Sequence, residues 1–301
     1  MHLAITGASG FVGSALLPAL RAAGHTFVRL VHRPDPSADA VLWHPSTGSL
    51  DGSRLHAIDA VIHLAGENVA KGRWTTNRRR ELADSRGPAT ERLCRTLVQL
   101  PTRPRVLIAA SATGFYGDRG DEELDERSAP GQGFLADVAR AWEAGTKPAI
   151  DAGLRVVNLR IGMVLDPSGG AMAKLLPPFR LGLGGRLGHG RQWLCWITRH
   201  DLVRAIAFAL DRETLRGPVL AVAPAPVTNA EFTRTLGTVL RRPTVLPVPA
   251  FALRLLLGTM ADELLLASQR ALPKALLAAG FTFTHGELDP ALRALLAPAP
   301  H

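Results

Sequence analysis

The chain has 301 residues, 47% hydrophobic and 20% charged, a balance that supports one large buried core with a smaller second one and excludes a disordered or collagen-like chain. Its formal net charge of +9 is almost entirely arginine, because the only lysines are Lys71, Lys147, Lys174 and Lys274. The densest basic run, Arg78-Arg79-Arg80, points three ways on a helix and reads as a solvated face, so no specific nucleic-acid partner is expected.

The first element is an apolar strand from Leu3 that runs into Gly7, Gly10 and Gly13 and then a helix. Gly7 permits a sharp turn, Gly10 removes a side chain where a pyrophosphate would approach, and Gly13 lets the helix pack on the strand. A helix N-terminus carries roughly half a positive charge and unpaired amides, so an anion is favoured there. Gly7, Ser9, Gly10, Phe11, Val12 and Gly13 are therefore candidate cofactor-binding residues. The turn begins so early that a signal peptide has no room, and a cytoplasmic protein is expected. The helix should run from Phe11 to Ala23, kink at Pro18 and end at Gly24.

A second strand, Thr26 to His32, ends in His32-Arg33. An acid at this tip would bind an adenosine ribose hydroxyl, whereas arginine accommodates a 2′-phosphate, so NADP(H) is expected rather than NAD(H); Asp35 is the one nearby acid. Ala40 to Trp43 suggests a short strand, and the next runs from Ala57 to Leu64-Ala65-Gly66, whose small residues would let a cofactor lie on the backbone, with Glu67 following on a loop beside it. Thr75 to Leu100 reads as helix broken near Gly87-Pro88, followed by a buried strand from Arg105 to Ala110. Ser111, Thr113 and Tyr116 come directly after it and carry hydroxyls able to donate to a carbonyl. Phe134 to Ala144 is a helix, Leu154 to Leu159 a strand, and Ile161 follows where the nicotinamide end would lie.

Asp201 stands at the start of a helix over Leu202 to Leu210 and is expected to cap it. Cys94 and Cys195 are far apart and suggest neither a disulfide nor a metal site. Thr228-Asn229-Ala230-Glu231 is a capping box opening a helix to about Leu240. Phe251 to Leu266 includes Arg254, Asp262 and Glu263, too short and too charged to cross a bilayer; it reads as an amphipathic helix against a core, with no membrane partner. Helices near Lys274 to Ala279 and Pro290 to Leu296 complete the chain.

The GxxGxxG turn, the Asp59-to-Gly66 strand and the Ser111-to-Gly117 edge resemble the short-chain dehydrogenase/reductase superfamily, in particular its extended branch of sugar-nucleotide epimerases and dehydratases. The resemblance implies an α/β fold, a Rossmann-type doubly wound parallel sheet with a smaller, mostly helical C-terminal domain. The expected division is 1–225 and 226–301, with about 166–200 on the substrate side. The superfamily's acid/base is a tyrosine with a lysine four residues on, and here Leu135 and Ala139 align with that pair. Leu194 stands where the extended branch has an arginine for a nucleotide diphosphate, with Arg191 nearby, so a nucleotide sugar is disfavoured.

Taken together, Gly66-Glu67-Asn68, Ser85-Arg86, Trp142-Glu143, Trp196-Ile197, Arg242-Pro243, Gly258-Thr259-Met260-Ala261-Asp262 and Ala279-Gly280-Phe281 are similar to one atypical family, the NADP(H)-binding epimerase-family proteins with a small C-terminal domain of unknown role. This implies an oxidoreductase or epimerase acting on an unidentified small molecule, as monomer or homodimer, with Ser111, Thr113 and Tyr116 as catalytic candidates and Glu67 or Asp118 as possible carboxylate bases. The alternative is a non-catalytic NADP(H)-binding regulatory or sensor protein, consistent with a phosphate turn kept while the acid/base pair is lost.

Overall fold

A computed structural model describes residues 1–55 and 57–297; the last four residues of the expected second domain lie outside this range. Seven apolar runs form one sheet: β1 (His2–Thr6), β2 (Thr26–Val31), β3 (Ala40–Leu42), β4 (Ala60–His63), β5 (Val106–Ala112), β6 (Arg155–Ile161) and β7 (Gly217–Ala221). Their order is β7-β6-β5-β4-β1-β2-β3 and every pairing is parallel. The near-continuous burial of β1, β4 and β5 reflects a sheet covered on both faces. Strand order reverses between β1 and β4, which opens a crevice at their carboxyl ends where doubly wound sheets bind ligands.

One face packs under α1 (Gly13–Ala22) and the later helix Arg199–Asp211 around Leu16, Leu20, Ile62, Leu202 and Ile206. The other is covered in part by Gly87–Val98, through Leu93, Cys94 and Leu97. The long polar segment after β4 splits into α2 (Thr76–Asp84) and α3 (Gly87–Val98). The break falls at Ser85-Arg86, and Pro88 sits in the first turn of α3, where its missing N–H costs nothing. Helix α1 begins two residues later than the sequence suggests and runs unbroken through Pro18.

Beyond the sheet, α4 (Phe134–Ala144) lies beside α3, and α5 (Gly170–Arg180), α6 (Arg199–Asp211), α7 (Asn229–Leu240) and α8 (Ala250–Leu257) follow. Helices α5, α7 and the terminal Leu288–Leu296 enclose a second core of Leu176, Phe179, Trp196, Phe232, Leu236 and Leu292. The Thr228–Glu231 capping box is formed in both directions. Asp201 does not cap α6; the Thr198 hydroxyl does, accepting the Asp201 amide at 3.1 Å. The Asp201 carboxylate instead accepts the Thr284 and His285 amides at 2.9 and 2.8 Å and the Arg204 guanidinium, tying the C-terminal segment to α6.

The region from Phe251 departs most from its sequence reading. It is α8, one turn at Thr259–Ala261, and a π-turn at Asp262–Leu266. Its apolar residues are buried only in part: Leu253, Met260 and Ala261 are buried, while Phe251 and Leu255 are 72% and 78% exposed.

Candidate functional site

The crevice is built from the ends of β1 and β4. The Thr6 hydroxyl accepts the Leu64 and Ala65 amides, each at 3.1 Å, so its own proton goes to His63 Nδ1 at 2.7 Å. His63 is then protonated on Nε2, which donates to Thr90 Oγ at 2.9 Å. Burial pushes this imidazole down to about 4, keeping it neutral. The lock holds Leu64-Ala65-Gly66 against the first turn, where Gly7 takes φ +67° and a side chain would strike the Leu64 carbonyl carbon at 2.8 Å.

The other two glycines differ in kind. A Cβ on Gly13 would lie 2.2 Å from the Gly7 oxygen, a demand of the fold itself. On Gly10 it would meet only that oxygen, at 3.1 Å, with nothing else within 4 Å. Among the described residues, the Phe11, Val12 and Gly13 amides have no acceptor, while the Gly10 amide bonds the Gly7 carbonyl at 3.0 Å. Ser9 and Gly10 are exposed. The turn therefore offers an open anion site at the head of a ten-residue helix.

At the tip of β2, His32 and Arg33 are exposed, and Arg33 forms no ion pair among the described residues. Asp35, the one nearby acid, accepts Arg29 at 3.1 Å and the Ser37 amide at 2.9 Å; Ser37 first and then Arg29 hold its carboxyl below the usual carboxylate range. The exposed positive end of this crevice fits a dinucleotide carrying an extra phosphate.

The far side is shaped by α5. The Phe11 ring is held between the Arg199 guanidinium, 5.1 Å from its centroid, and Gly169 and Gly170, where a Cβ would lie 2.5 and 2.9 Å from ring carbons. Arg199 is paired with Asp166 at 3.0 Å. Lys174 Nζ reaches the Ala70 carbonyl at 2.8 Å, linking α5 to the loop after β4. The loop is supported from below by Arg86, which donates to the Glu67 carbonyl at 2.8 Å and stacks on Trp142; burial lowers this guanidinium to about 10. The Glu67 side chain is exposed and accepts Arg78 at 2.9 Å. Arg78 and Arg79 thus do more than face solvent, since Arg79 also lies over Phe134 at 4.5 Å.

Of the hydroxyls expected to donate to a carbonyl, Ser111 lies near the end of β5 and Thr113 and Tyr116 follow it, and two of the three are engaged inside the protein. Ser111 Oγ donates to Glu143 Oε1 at 2.8 Å, and Arg160 grips both Glu143 oxygens at 2.8 and 2.9 Å. Arg160 Nη1 donates to the Tyr116 hydroxyl at 2.8 Å, and that hydroxyl donates to the Asp125 carbonyl at 2.8 Å. Tyr116 is fully buried, and burial pushes its phenol up to about 12. Its expected role as proton donor is corrected on this geometry: both functions of the hydroxyl are already engaged inside the protein. Thr113 is largely buried, and its hydroxyl has no partner among the described residues. Ile161 ends β6, partly exposed.

Leu135 and Ala139 lie on α4 as anticipated; Ala139 is buried, while Leu135 lines a cavity of about 280 Å³. Gly114, His189, Arg254 and Glu263 also line it. Glu263 caps α4 by accepting the Phe134 and Leu135 amides at 3.1 and 2.6 Å, an interaction across 128 residues that sequence spacing does not reveal. His189 accepts the Arg191 amide on Nδ1 at 3.0 Å, which makes Nε2 its protonated nitrogen. Leu194 pairs with Val227 in a short ladder, and Arg191 is exposed. His200, Asp201 and His285 also come together, but the Asp201 oxygens are taken by two amides and Arg204, which is hostile to a cation.

Residues 3–223 match the NAD dependent epimerase/dehydratase family. The chain belongs to this family. Residues 248–295 of this epimerase-family chain match a domain of unknown function, DUF1731. Epimerase family protein Mb2239 of Mycobacterium bovis is 46% identical over 290 residues, spanning 96% of each chain. The crystal structure of human epimerase family protein SDR39U1 (isoform2) with NADPH superposes with a TM-score of 0.90 at 32% identity, covering 98% of this chain and 99% of that one. A nucleoside-diphosphate sugar epimerase from Corynebacterium glutamicum gives 0.82 at 35% identity, with 98% of this chain matching 58% of that one.

Proposed function

We propose that this protein binds NADP(H) and acts as an oxidoreductase or epimerase on a small molecule held in the cavity beside Leu135. The observation that carries the cofactor assignment is the pairing of three unengaged amides at Phe11, Val12 and Gly13 with an unpaired Arg33 at the tip of β2. The similarity to human SDR39U1, whose structure contains NADPH, supports it. The Phe11–Gly13 amides would hold the pyrophosphate, Arg33 and His32 the 2′-phosphate, Leu64 to Glu67 the adenosine side, and Ser111 and Ile161 the nicotinamide end.

A bound nicotinamide supplies or accepts a hydride. The chain must supply the matching proton. Ser111 has committed its hydrogen to Glu143 and presents only lone pairs, so it orients a ligand as an acceptor. Thr113 is free to donate and is the proton donor in this reading. Leu135 in place of a phenol makes that step slow, because an unassisted hydroxyl is a weak acid at neutral pH.

One observation favours the second reading, a non-catalytic NADP(H) sensor: the Ser111 and Tyr116 hydroxyls are both held by the buried Glu143–Arg160 pair. NADPH and NADH titrations followed by absorbance screening of aldehydes and ketones separate the readings. Tight NADPH binding with turnover supports the enzyme, tight binding without turnover the sensor, and equal affinities for the two nucleotides would refute the phosphate assignment.

A further inference from the structure

Two segments distant in sequence run side by side outside the site described above. Leu187 bridges Val248, the Val248 amide donates to the Arg186 carbonyl at 2.8 Å, and Arg242 Nε donates to the Arg180 carbonyl at 2.8 Å. This brings the exposed side chains of Leu181, Leu183, Val245 and Leu246 onto one side of the molecule. Helix α8 follows directly and adds Phe251, Leu255 and Leu256, at 72%, 78% and 69% exposure. Most large exposed apolar side chains of the described residues belong to this one face, and a contiguous exposed apolar patch marks an interaction surface rather than chance.

Charge decides what covers it. Residues 177–187 and 241–257 contain five arginines, Arg180, Arg186, Arg241, Arg242 and Arg254, all exposed, and no aspartate or glutamate. Among the described residues only Arg254 of these has a carboxylate partner, Asp262 at 2.9 Å. Asp262 offsets Arg254 alone, so a second copy meeting this face about a two-fold axis would set four arginines without a carboxylate partner against their own symmetry mates. We infer that the α8 face docks on an anionic lipid bilayer, its apolar side chains entering the acyl boundary while the arginines meet headgroup phosphates. A short helix with an exposed apolar side and arginines on neighbouring segments can lie in the interface plane in this way, without spanning. The helix also lends Ala250 and Arg254 to the Leu135 cavity, so docking places that cavity beside the membrane surface.

The test is co-sedimentation of the full-length protein with vesicles of phosphatidylcholine alone and of phosphatidylcholine with phosphatidylglycerol, at low and high salt. Binding to the anionic vesicles should exceed binding to neutral ones by about tenfold or more and fall with salt. The variant F251S/L255S/L256S replaces exposed side chains only, so it should keep its melting profile and NADPH affinity while losing vesicle binding by about tenfold or more. R186Q/R241Q, which leaves the Arg242–Arg180 contact in place, should lose mainly the preference for anionic lipid. Absence of sedimentation, unchanged sedimentation of the serine variant, or a solution dimer that the serine variant dissociates would each overturn the proposal; the last would show a second copy on this face.

Discussion

Replacing Gly10 and Gly13 in turn separates what the turn does for the fold from what it does for a ligand. An alanine Cβ at Gly13 would sit 2.2 Å from the Gly7 oxygen and 2.8 Å from the Ala8 Cα, all backbone, so the turn and α1 must part. Overpacking of this kind costs about 1–3 kcal/mol, and Gly13→Ala belongs at the upper end because no side chain can yield. The Cβ of Gly10→Val meets one protein atom at 3.1 Å, relieved by a shift of a few tenths of an ångström, and the position is exposed, so its melting temperature is expected to stay within a few degrees of wild type. Its branch fills the space in front of the Phe11–Gly13 amides. Losing two charge-assisted hydrogen bonds, at about 1.5–3 kcal/mol each, weakens NADPH at least 100-fold. Fluorescence titration with NADPH and thermal melting of both variants provide the assay. Gly10→Val that binds NADPH within threefold of wild type, or that unfolds while Gly13→Ala does not, would refute the division.

Arg33→Ala should lower NADPH affinity about tenfold and leave NADH unchanged, as read by paired titrations. His63 titrates near 6.5 when unfolded and about 4 when buried, so the unfolded chain holds more protons in that window and stability falls as pH drops through it. The loss is about 3 kcal/mol between pH 6.5 and 4, and denaturant melts of His63→Gln should show a flatter acid limb. Tyr116→Phe strands one Arg160 N–H and removes one of the two donors to the Asp125 carbonyl, which keeps the Ser128 amide at 3.1 Å, and is expected to cost about 1–3 kcal/mol of stability with NADPH affinity unchanged. Thr113→Val, on a substrate found by screening, should cut turnover roughly 100-fold with little effect on cofactor affinity; full activity would remove Thr113 as the donor.

The parts of this site that were legible in the sequence are those fixed by neighbouring residues. The Gly7-to-Gly13 turn follows from a strand, a positive φ and a helix start within a dozen residues, and the Thr228–Glu231 cap needs only one turn of helix. Arg33 is read from its place at a strand end. The Ser111–Glu143–Arg160–Tyr116 network draws on β5, α4 and β6, and no local pattern reports that Tyr116 turns inward. Asp201 shows the same limit: a carboxylate near a helix start looks like a cap, but its partners, the Thr284 and His285 amides, lie more than 80 residues away. The periodicity of α8 reveals a two-sided helix without saying whether the apolar side meets protein, and here much of it meets solvent.

The buried ion pair bears on how a ligand would be handled. Glu143 and Arg160 are nearly enclosed, at 14% and 4% side-chain exposure, and removing one partner of such a pair typically costs about 3–5 kcal/mol because the other charge is stranded. Its primary work is therefore to hold β5, α4 and β6 together, and loss of activity on mutating either residue would say little about catalysis. The pair nevertheless sets the polarity of Ser111. Both Glu143 oxygens accept from Arg160, and Oε1 also accepts the Ser111 hydroxyl, so the Ser111 proton points toward the pair and away from any ligand. Ser111 can receive a hydrogen bond from a bound hydroxyl but cannot give one without reversing that arrangement, whereas Thr113 carries no such constraint. Ser111 and Thr113 are thus not interchangeable: the first is fixed as an acceptor by a structural charge pair, and under the enzyme reading proposed above the second is the proton donor.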